Sequence, residues 1–372
     1  MFAILKSDCL KLGILTGGGD CAGINSTIRG VTFAAEELNH ELYGIKNGWE
    51  GLIDYKEMRL KPKDVEGIGE KAGTILGTSR TNPFKHYGKG DRSDIVLRNL
   101  KENNYDSLIA IGGEDTLGVA YKLDRKGFPV IGIPKTMDYD LQSYSLGYDT
   151  AVEHVMNHLV DIRTTASSHR RIFAVEVFGR DTGHVAFEAG IAGMADVILI
   201  PEIPYDIDIV CNDLKKAYEK RKKEDFNPFA IVVVAEGATP IEKDEKIYTS
   251  NKKDDFGHKK LGGVSTLIAD QIEQRLGIET KSLSLEHIPR SGSCGCFDAF
   301  VGEKLGRAAV YVAQEGMHGI AVTDLKGETI STMKLEDIIV QKPVDIREIP
   351  LYERKISFGR PKHEYKPKIN LK

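Results

Sequence analysis

Short β-branched runs that alternate with amphipathic segments are the feature of this sequence that most restricts its fold. The runs lie at Leu12–Thr16, Ser107–Ile111, Pro129–Ile133, Ile172–Val177, Val197–Ile200 and Ile231–Val234. After Gly23, by contrast, Ile24, Ile28 and Val31 recur at helical spacing. Strands that alternate with helices predict an α/β fold with a mainly parallel sheet, whose ligands bind where the carboxyl ends of the strands meet.

Length and composition limit the classes of protein to consider. The 372 residues, 41% of them hydrophobic, favour two lobes over one. A net charge of -4 without a long basic tract argues against a nucleic-acid partner. The first residues lack a secretory signal, and no apolar run approaches the roughly 18 to 20 residues of a membrane span. A cytoplasmic protein without membrane contact is therefore expected.

Two segments fit neither the strand pattern nor the helix pattern. Residues 239–263 are highly charged and nearly lack aliphatic side chains, which predicts a long surface loop. The tail after Lys342 has scattered prolines and little periodicity, so it is predicted to wrap a surface. The five cysteines form no CxxC pair, which argues against both a disulfide framework and a zinc ribbon.

A glycine-rich turn follows the first predicted strand, in the sequence LTGGGDCAGINS. Gly17, Gly18 and Gly19 allow backbone amides to approach a ligand closely, and the following helix start favours an anion such as phosphate. The spacing also resembles a dinucleotide-binding fingerprint, but Lys46 stands where an acidic residue would bind the ribose. That lysine disfavours a dehydrogenase. The sequence also lacks the GxxxxGK[ST] pattern of a P-loop.

Two more strand ends carry charged side chains toward the same predicted edge. IGGEDTLG offers Glu114 and Asp115, which suit either a magnesium ion or the capping of a helix start. IPKTMDYDL places Lys135 beside Asp138 and Asp140. Three successive strand ends thus bring glycines, acids and a lysine toward one crevice, which favours a ligand site.

The motifs GGGD, GGEDT, PKTMDYD, SSHRRIFAVEVFGR, AEGA and HIPRSG follow one another as in the 6-phosphofructokinase family, which this sequence resembles to about Tyr311. The resemblance implies two Rossmann-like lobes with a catalytic cleft between them. A donor lobe would comprise residues 1–149 and about 289–345, and a sugar-phosphate lobe residues 150–288 and about 346–372. It also implies a homodimer or homotetramer in which subunits share the sugar-phosphate site.

The resemblance also assigns residues to phosphoryl transfer. Asp138 matches the base that deprotonates the sugar C1 hydroxyl, Thr136 and Arg180 match contacts to the transferring phosphoryl group, and Glu114 matches an acid that binds Mg²⁺. The residues matched to donor binding are Gly18, Arg80, Asp115 and Lys135.

The sugar end is assigned in the same way. The cations that hold the 6-phosphate in the family are matched by Arg171, His287 and Arg290. Glu236 matches a carboxylate that accepts hydrogen bonds from the sugar hydroxyls. Lys281 replaces an arginine of many relatives, and the substrate-binding set is completed by Phe178, Gly179, Arg180, Thr136 and Asp138.

Asp115 and Lys135 bear on the identity of the phosphoryl donor. Both positions are typically glycine in the ATP-using branch of the family, whereas the pyrophosphate-using branch resembles this chain. A carboxylate at Asp115 would repel an α-phosphate, and Lys135 would neutralise a compact anion. The predicted reaction is reversible phosphate transfer from pyrophosphate to C1 of fructose 6-phosphate, which gives fructose 1,6-bisphosphate and phosphate.

Several alternatives stay open from the sequence. Tyr139 replaces the usual asparagine, Lys281 replaces arginine and RSG replaces RGG, which leaves a related phosphosugar as a possible acceptor. An ATP-dependent enzyme and a relative of the NAD and lipid kinases are the other phosphotransferase alternatives. A sugar-phosphate sensor without catalytic activity is the alternative outside the enzymes.

Overall fold

The computed structural model describes residues 9–85, 90–224, 227–242, 246–253, 256–257, 259–325, 329–353 and 355–361. Its strands are β1 (Lys11–Thr16), β2 (Glu41–Ile45), β3 (Glu57–Arg59), β4 (Ser107–Gly112), β5 (Val130–Pro134), β6 (Ile172–Val177), β7 (Val197–Leu199), β8 (Ala230–Ala235), β9 (Tyr248–Lys253), β10 (Lys259–Leu261), β11 (Thr280–Ser284), β12 (Ile320–Leu325) and β13 (Thr329–Lys334). The α/β class with mainly parallel sheets is confirmed, because each predicted strand has an observed counterpart within about one residue.

The helices alternate with these strands over most of the chain. They are α1 (Ile24–Glu37), α2 (Gly48–Asp54), α3 (Ser93–Glu102), α4 (Glu114–Arg125), α5 (Tyr148–His169), α6 (His184–Ala192), α7 (Ile207–Lys223), α8 (Val264–Leu276), α9 (Cys296–Gln314) and α10 (Leu335–Ile338). Short 3-10 turns occur at Pro62–Asp64, Ile288–Arg290 and Ile349–Leu351. None of the helices that the structure describes is long and apolar enough to cross a membrane.

The chain forms two compact units, and each unit is assembled from several segments. The first unit comprises Met1–Thr150, Lys253–His258 and Arg290–Gln341. The second unit comprises Ala151–Lys252, Lys259–Pro289 and Lys342–Lys372. The backbone therefore passes between the units several times before it ends.

The first unit is built on a seven-stranded sheet in the order β13-β12-β5-β4-β1-β2-β3. The five inner strands are parallel, and β3 and β13 are antiparallel edge strands. On this unit α1 and α9 pack without intervening side chains, because a β-carbon at Gly30 or Gly306 would collide with the backbone of the other helix. Gly19, which follows β1, and Pro134, which ends β5, consequently lie at one edge of the sheet.

The second unit contains a smaller sheet in the order β11-β6-β8-β7, and all its pairs are parallel. Every residue of β8 is buried, as expected of a central parallel strand covered on both faces. Buried Glu176, near the end of β6, accepts hydrogen bonds from the backbone N–H groups of Gly263 and Ser265 at the start of α8. The carboxylate thereby satisfies helix donors that have no partner within the helix.

The charged segment 239–263 is more ordered than the sequence predicts. A long loop was expected, but β9 and β10 pair in a two-stranded sheet, so that prediction is wrong over these residues. A ladder pairs the backbone polar groups whatever the side chains are, so a strand forms here without an apolar face. Residues 243–245, 254–255 and 258 of this segment lie outside the described part of the chain.

The tail after Lys342 is partly integrated into the second unit. Ser357 donates its N–H to the Asp196 carbonyl and accepts a hydrogen bond from the Ile198 N–H, beside β7. Phe358 is buried. These residues therefore add to the core of the unit as well as covering it, and residues 362–372 lie outside the described part of the chain.

Candidate active site

The glycine turn after β1 lies against the start of α4. The N–H of Gly17 bonds to the Ile111 carbonyl at 3.0 Å, and a β-carbon at Gly17 would lie 2.5 Å from Oγ1 of buried Thr116. Gly18 has a φ of 78°, which a side chain would strain, and the Thr78 hydroxyl donates to its carbonyl. Glycine is thus required both for the close approach to α4 and for the shape of the turn.

Lys135 follows β5 and extends its side chain to this glycine turn. Its Nζ donates to the Gly19 carbonyl and lies 3.6 Å from the position that a β-carbon would take at Gly18. The side chain is buried, and this burial lowers the pKa of the ammonium below its usual value, an effect that nearby Arg290 reinforces. Lys135 is therefore a desolvated cation placed directly behind a backbone suited to phosphate.

Asp138 lies one turn beyond Lys135, at the same strand end. Its backbone N–H donates to Oγ1 of Thr136 at 3.2 Å, which joins the two predicted catalytic residues in one turn. Oδ1 of Asp138 and Oδ1 of Asp140 are both buried atoms within half-exposed residues. The carboxyl group of Asp138 also contributes to the electrostatic environment of Lys135.

Tyr139 adopts a left-handed backbone conformation, with a φ of 56°. Such a conformation suits asparagine better than a bulky aromatic residue. Its ring stacks on Tyr148 with centroids 4.4 Å apart and planes 15° from parallel, and its edge contacts Tyr144. These aromatic contacts therefore stabilise Tyr139 in a turn where the family that the sequence resembles usually has asparagine.

The two acids after β4 lie in the first turn of α4. Glu114 is exposed and Asp115 is half-buried, and both complement the positive end of the helix. Arg80, in the segment that contacts Gly18 through the neighbouring Ser79 carbonyl, is exposed. Within the described residues there is no cluster of three or more His, Cys, Asp or Glu side chains that could hold a metal ion.

Arg290 belongs to the first unit and lies over the glycine turn. Its NH1 is 3.8 Å from Oδ1 of Asp20, and a side chain at Gly19 would collide with its guanidinium. Only 13% of the Arg290 side chain is exposed. The predicted sugar-phosphate ligand thus shares its surroundings with the predicted donor turn, whereas His287 belongs to the second unit.

The second unit gathers five predicted residues at the carboxyl edge of its sheet. Phe178, Gly179 and Arg180 follow β6, Glu236 follows β8 and His287 follows β11, and the three strands are adjacent and parallel. The rings of Phe178 and His287 meet edge to face with centroids 5.7 Å apart. This edge therefore offers a carboxylate, a guanidinium, an imidazole and an aromatic ring within one set of neighbouring loops.

Arg171 and Lys281 lie at the opposite, amino edge of the same sheet. Arg171 precedes β6, and its Nε donates to Oε2 of Glu279 at 2.6 Å. Lys281 Nζ is 2.9 Å from Oε1 of the same carboxylate, and the two cations together hold the pKa of Glu279 below its usual value. The six residues of β6 separate the backbone of Arg171 from that of Phe178 by about 20 Å, so the two residues lie at opposite ends of the strand.

Comparison with known proteins identifies the family. A protein-family model described as phosphofructokinase matches residues 11–313. This span includes β1, the glycine turn and all the predicted site residues. The chain belongs to the phosphofructokinase family.

Relatives within the family differ in the donor that their names give. The pyrophosphate--fructose 6-phosphate 1-phosphotransferase of Dictyoglomus thermophilum is 43% identical over 86% of this chain and 91% of its own length. The ATP-dependent 6-phosphofructokinase of Corynebacterium efficiens is 37% identical over 89% of this chain and 93% of its own. Pyrophosphate-dependent and ATP-dependent members are thus both similar to this chain.

The fold is similar to solved structures of phosphofructokinases. The T-state crystal structure of the Pichia pastoris enzyme superposes with a TM-score of 0.76 at 27% identity over 89% of this chain. The chain spans 35% of that longer yeast chain. The two-lobed phosphofructokinase fold implied by the sequence resemblance is confirmed.

The structure adds residues that the motifs of a phosphofructokinase did not indicate. Glu279 joins Arg171 to Lys281, and Lys246 donates to the carbonyl of Arg180. Asp298, buried at the start of α9, accepts hydrogen bonds from Tyr144, Gly147 and Thr150 beside the Tyr139 stack. Glu279 stands two residues before Lys281, so its pairing could have been expected from strand periodicity, whereas Lys246 lies in a charged segment without any pattern.

Proposed function

We propose that this phosphofructokinase uses pyrophosphate to phosphorylate C1 of fructose 6-phosphate, reversibly, and that it does so in the cytoplasm. The observation that carries the donor assignment is the buried Lys135 ammonium at the Gly18–Gly19 turn. A desolvated cation at a phosphate-binding turn suits a compact, highly charged donor, and Asp115 at the neighbouring turn disfavours a nucleotide α-phosphate. The names of two relatives that are 43% and 40% identical to this chain agree with this donor.

The mechanism follows from the chain's own side chains. Asp138 accepts the proton of the C1 hydroxyl as that oxygen attacks a phosphorus of pyrophosphate. The bond from this phosphorus to the bridging oxygen breaks, and inorganic phosphate leaves. Thr136 and Arg180 contact the transferring phosphoryl group, and Lys135 stabilises the charge that develops on the leaving phosphate. In the reverse direction Asp138 returns the proton to the C1 oxygen.

The described residues fit Mg²⁺ carried by the substrate. Mg²⁺ usually keeps several waters and is held by one or two carboxylates together with substrate phosphates, so a complete protein cage is not needed. Exposed Glu114 at the start of α4 would hold it beside the glycine turn. When bound, the ion neutralises phosphate charge during transfer.

The separation of the sugar-binding residues supports a homodimer or homotetramer with shared sites. Arg171 and Lys281 lie at the amino edge of the second sheet, while Phe178, Glu236 and His287 lie at its carboxyl edge. The two groups of residues in one chain therefore contribute to two different active sites and bind two different substrate molecules. Arg171 and Lys281 would bind the 6-phosphate in a neighbouring subunit, and no nucleic acid or membrane takes part.

A donor and acceptor matrix tests this assignment directly. Pyrophosphate, ATP and ADP are each supplied with fructose 6-phosphate and with related hexose and heptulose phosphates, in the presence of Mg²⁺. The expected result is turnover with pyrophosphate and fructose 6-phosphate above all other pairs. Brisk turnover with ATP and none with pyrophosphate would instead support the activity named for the Corynebacterium efficiens relative.

A further inference from the structure

The charged segment 239–263 contacts the turn that carries Arg180. Lys246 Nζ donates to the Arg180 carbonyl at 2.7 Å and to Oδ1 of Asp181 at 2.5 Å. On the other side of the same residue, NH1 of Arg180 donates to the Lys259 carbonyl at 3.1 Å. Residues just before β9 and at the start of β10 therefore hold the main chain and the guanidinium of Arg180 together. All of these residues belong to the second unit.

The loop after β8 closes this turn from another direction. The N–H of Gly237 donates to the Gly179 carbonyl at 2.9 Å, and a β-carbon at Gly237 would collide with the carbonyl of Arg180. Gly179 has a φ of 141°, a conformation that is strained for other residues. The turn thus has little freedom on the side of β8, and Lys246 contacts it on the side of β9.

The exposure of the contact indicates what it does. The side chains of Lys246 and Asp181 are 28% and 39% exposed, and an ion pair at this exposure adds little to folding stability. Its bond to the Arg180 carbonyl, by contrast, restrains the peptide group next to the α-carbon from which the Arg180 side chain extends. A guanidinium has five N–H donors, so a bond to one carbonyl orients the group and leaves it able to bind an anion.

We infer that Lys246, next to β9, is a positioning residue for Arg180 and that the Lys259 carbonyl at the start of β10 supports the same placement. The inference rests on the proposed function, in which Arg180 contacts the transferring phosphoryl group. Phosphoryl transfer depends mainly on charge and placement, because little covalent chemistry is left to the protein. A shift of the Arg180 guanidinium therefore lowers the rate of transfer more than it lowers the affinity for the sugar.

A double-mutant cycle tests the inference by kinetics. Lys246→Met keeps the aliphatic stem and removes the ammonium, and Arg180→Met removes the guanidinium. Lys216→Met is the matched control, because Lys216 forms a similar 2.9 Å ion pair with Asp213 on α7, far along the chain from the turn. K246M is expected to lower kcat about ten- to a hundredfold, with little change in the KM for fructose 6-phosphate or in the thermal midpoint.

The cycle separates positioning from a structural role. If Lys246 acts through Arg180, the double variant turns over as fast as Arg180→Met alone, and Lys216→Met behaves as the wild type. The inference is overturned if Lys246→Met slows both backgrounds by the same factor, or if it lowers only the thermal midpoint.

Hydrogen exchange of the ligand-free protein gives a second readout that does not depend on turnover. The Gly237 N–H bonds to the Gly179 carbonyl, so peptides over residues 177–183 and 235–238 report on the turn. Lys246→Met is expected to raise exchange several-fold in these peptides alone, and unchanged exchange there would refute the inference. A wild-type chain inactive with pyrophosphate would contradict the proposed function, while exchange would still decide whether Lys246 holds the turn.

Discussion

At the scale of single residues, the proposed base Asp138 lies in one turn with Thr136 and near the buried Lys135 ammonium. Asp138→Asn is expected to reduce turnover about 10²- to 10⁴-fold and to leave the thermal midpoint near that of the wild type. The matched control is Asp94→Asn, because Asp94 is 92% exposed and pairs only at the surface with Lys126. Asp138→Asn turning over as fast as Asp94→Asn would remove Asp138 from the role of base.

Lys135 makes the use of pyrophosphate dependent on pH. Burial lowers its pKa from the ordinary 10.5, and an anion binds the protonated form. The KM for pyrophosphate should therefore rise as the pH increases past the lowered pKa of Lys135, which lies below the ordinary value of about 10.5. Lys135→Met should raise this KM about ten- to a hundredfold and abolish that rise.

The measurement is the pH profile of the KM for pyrophosphate in both proteins. Ionisation of pyrophosphate itself affects the wild type and Lys135→Met equally, so only the difference between the profiles reports on the lysine. Parallel profiles would contradict the assignment of Lys135 as the donor-binding cation.

Asp298 organises the chain beside the Tyr139 stack. The carboxylate is fully buried and accepts bonds from the Tyr144 hydroxyl, the N–H groups of Gly147 and Thr150, and the Thr150 hydroxyl. Asp298→Ala leaves several buried donors unpaired and should lower the free energy of unfolding by about 3 to 5 kcal/mol. Tyr144→Phe removes one donor and should cost about 1.5 kcal/mol, as measured by denaturant titration. Equal losses of unfolding free energy in the two variants would show that Asp298 does not hold several hydrogen-bond donors together.

The sequence motifs assigned proposed roles to single residues, but they did not indicate how the structure groups those residues. The sequence motifs placed Asp138, Thr136 and Lys135 correctly at one strand end, because the PKTMDYD motif is local. Arg171, His287 and Arg290 were treated as one cationic set. The structure assigns them to two sheet edges and two units, since that grouping depends on strand direction and on where the chain crosses between units.

At the scale of elements, the packing of α1 on α9 depends on glycines. A β-carbon at Gly306 would collide with the carbonyl of Thr27, whereas one at Gly118 on α4 would meet nothing within 4 Å. Gly306→Ala should therefore destabilise the protein by about 1 to 3 kcal/mol through overpacking. Gly118→Ala, the matched control, should stabilise it by about 0.4 to 1 kcal/mol. Thermal unfolding measures both, and stabilisation by Gly306→Ala would disprove close helix contact.

Elements with an apolar pattern were predictable, and polar ones were not. Strands β1, β4, β5, β6, β7 and β8 of the two main sheets were recognised from β-branched runs, because burial on both faces leaves that signature. Strands β3, β11, β12 and β13 were not recognised. Strand β9, with the sequence YTSNKK, carries no such signal, since a two-stranded sheet does not need an apolar face. The segment that contacts Arg180 was consequently the one least visible in the sequence.

At the scale of the whole molecule, shared sites predict complementation between inactive chains. Asp138→Asn and Arg171→Met are each expected to be nearly inactive. In a co-expressed mixture, a hybrid dimer would contain one intact site, made from Asp138 of one chain and Arg171 of the other. Random pairing of equal amounts should restore about a quarter of wild-type activity.

The control for this experiment pairs Asp138→Asn with Arg180→Met. Both residues are expected to serve the same substrate from the same chain, so their hybrid has no intact site and should recover no activity. Recovery of activity in this control, or no recovery in the first mixture, would contradict the proposal that neighbouring subunits share the residues that bind the 6-phosphate.

The order of strands in the first unit has a consequence for synthesis on the ribosome. Strand β12 pairs with β5, although roughly 190 residues separate them; at about 5 to 20 residues per second this takes roughly 10 to 40 s to translate. The strands of the smaller sheet all lie inside that interval. All strands of the smaller sheet are therefore translated before β12, and β5 gains β12 as its neighbour only after the smaller sheet can already be complete.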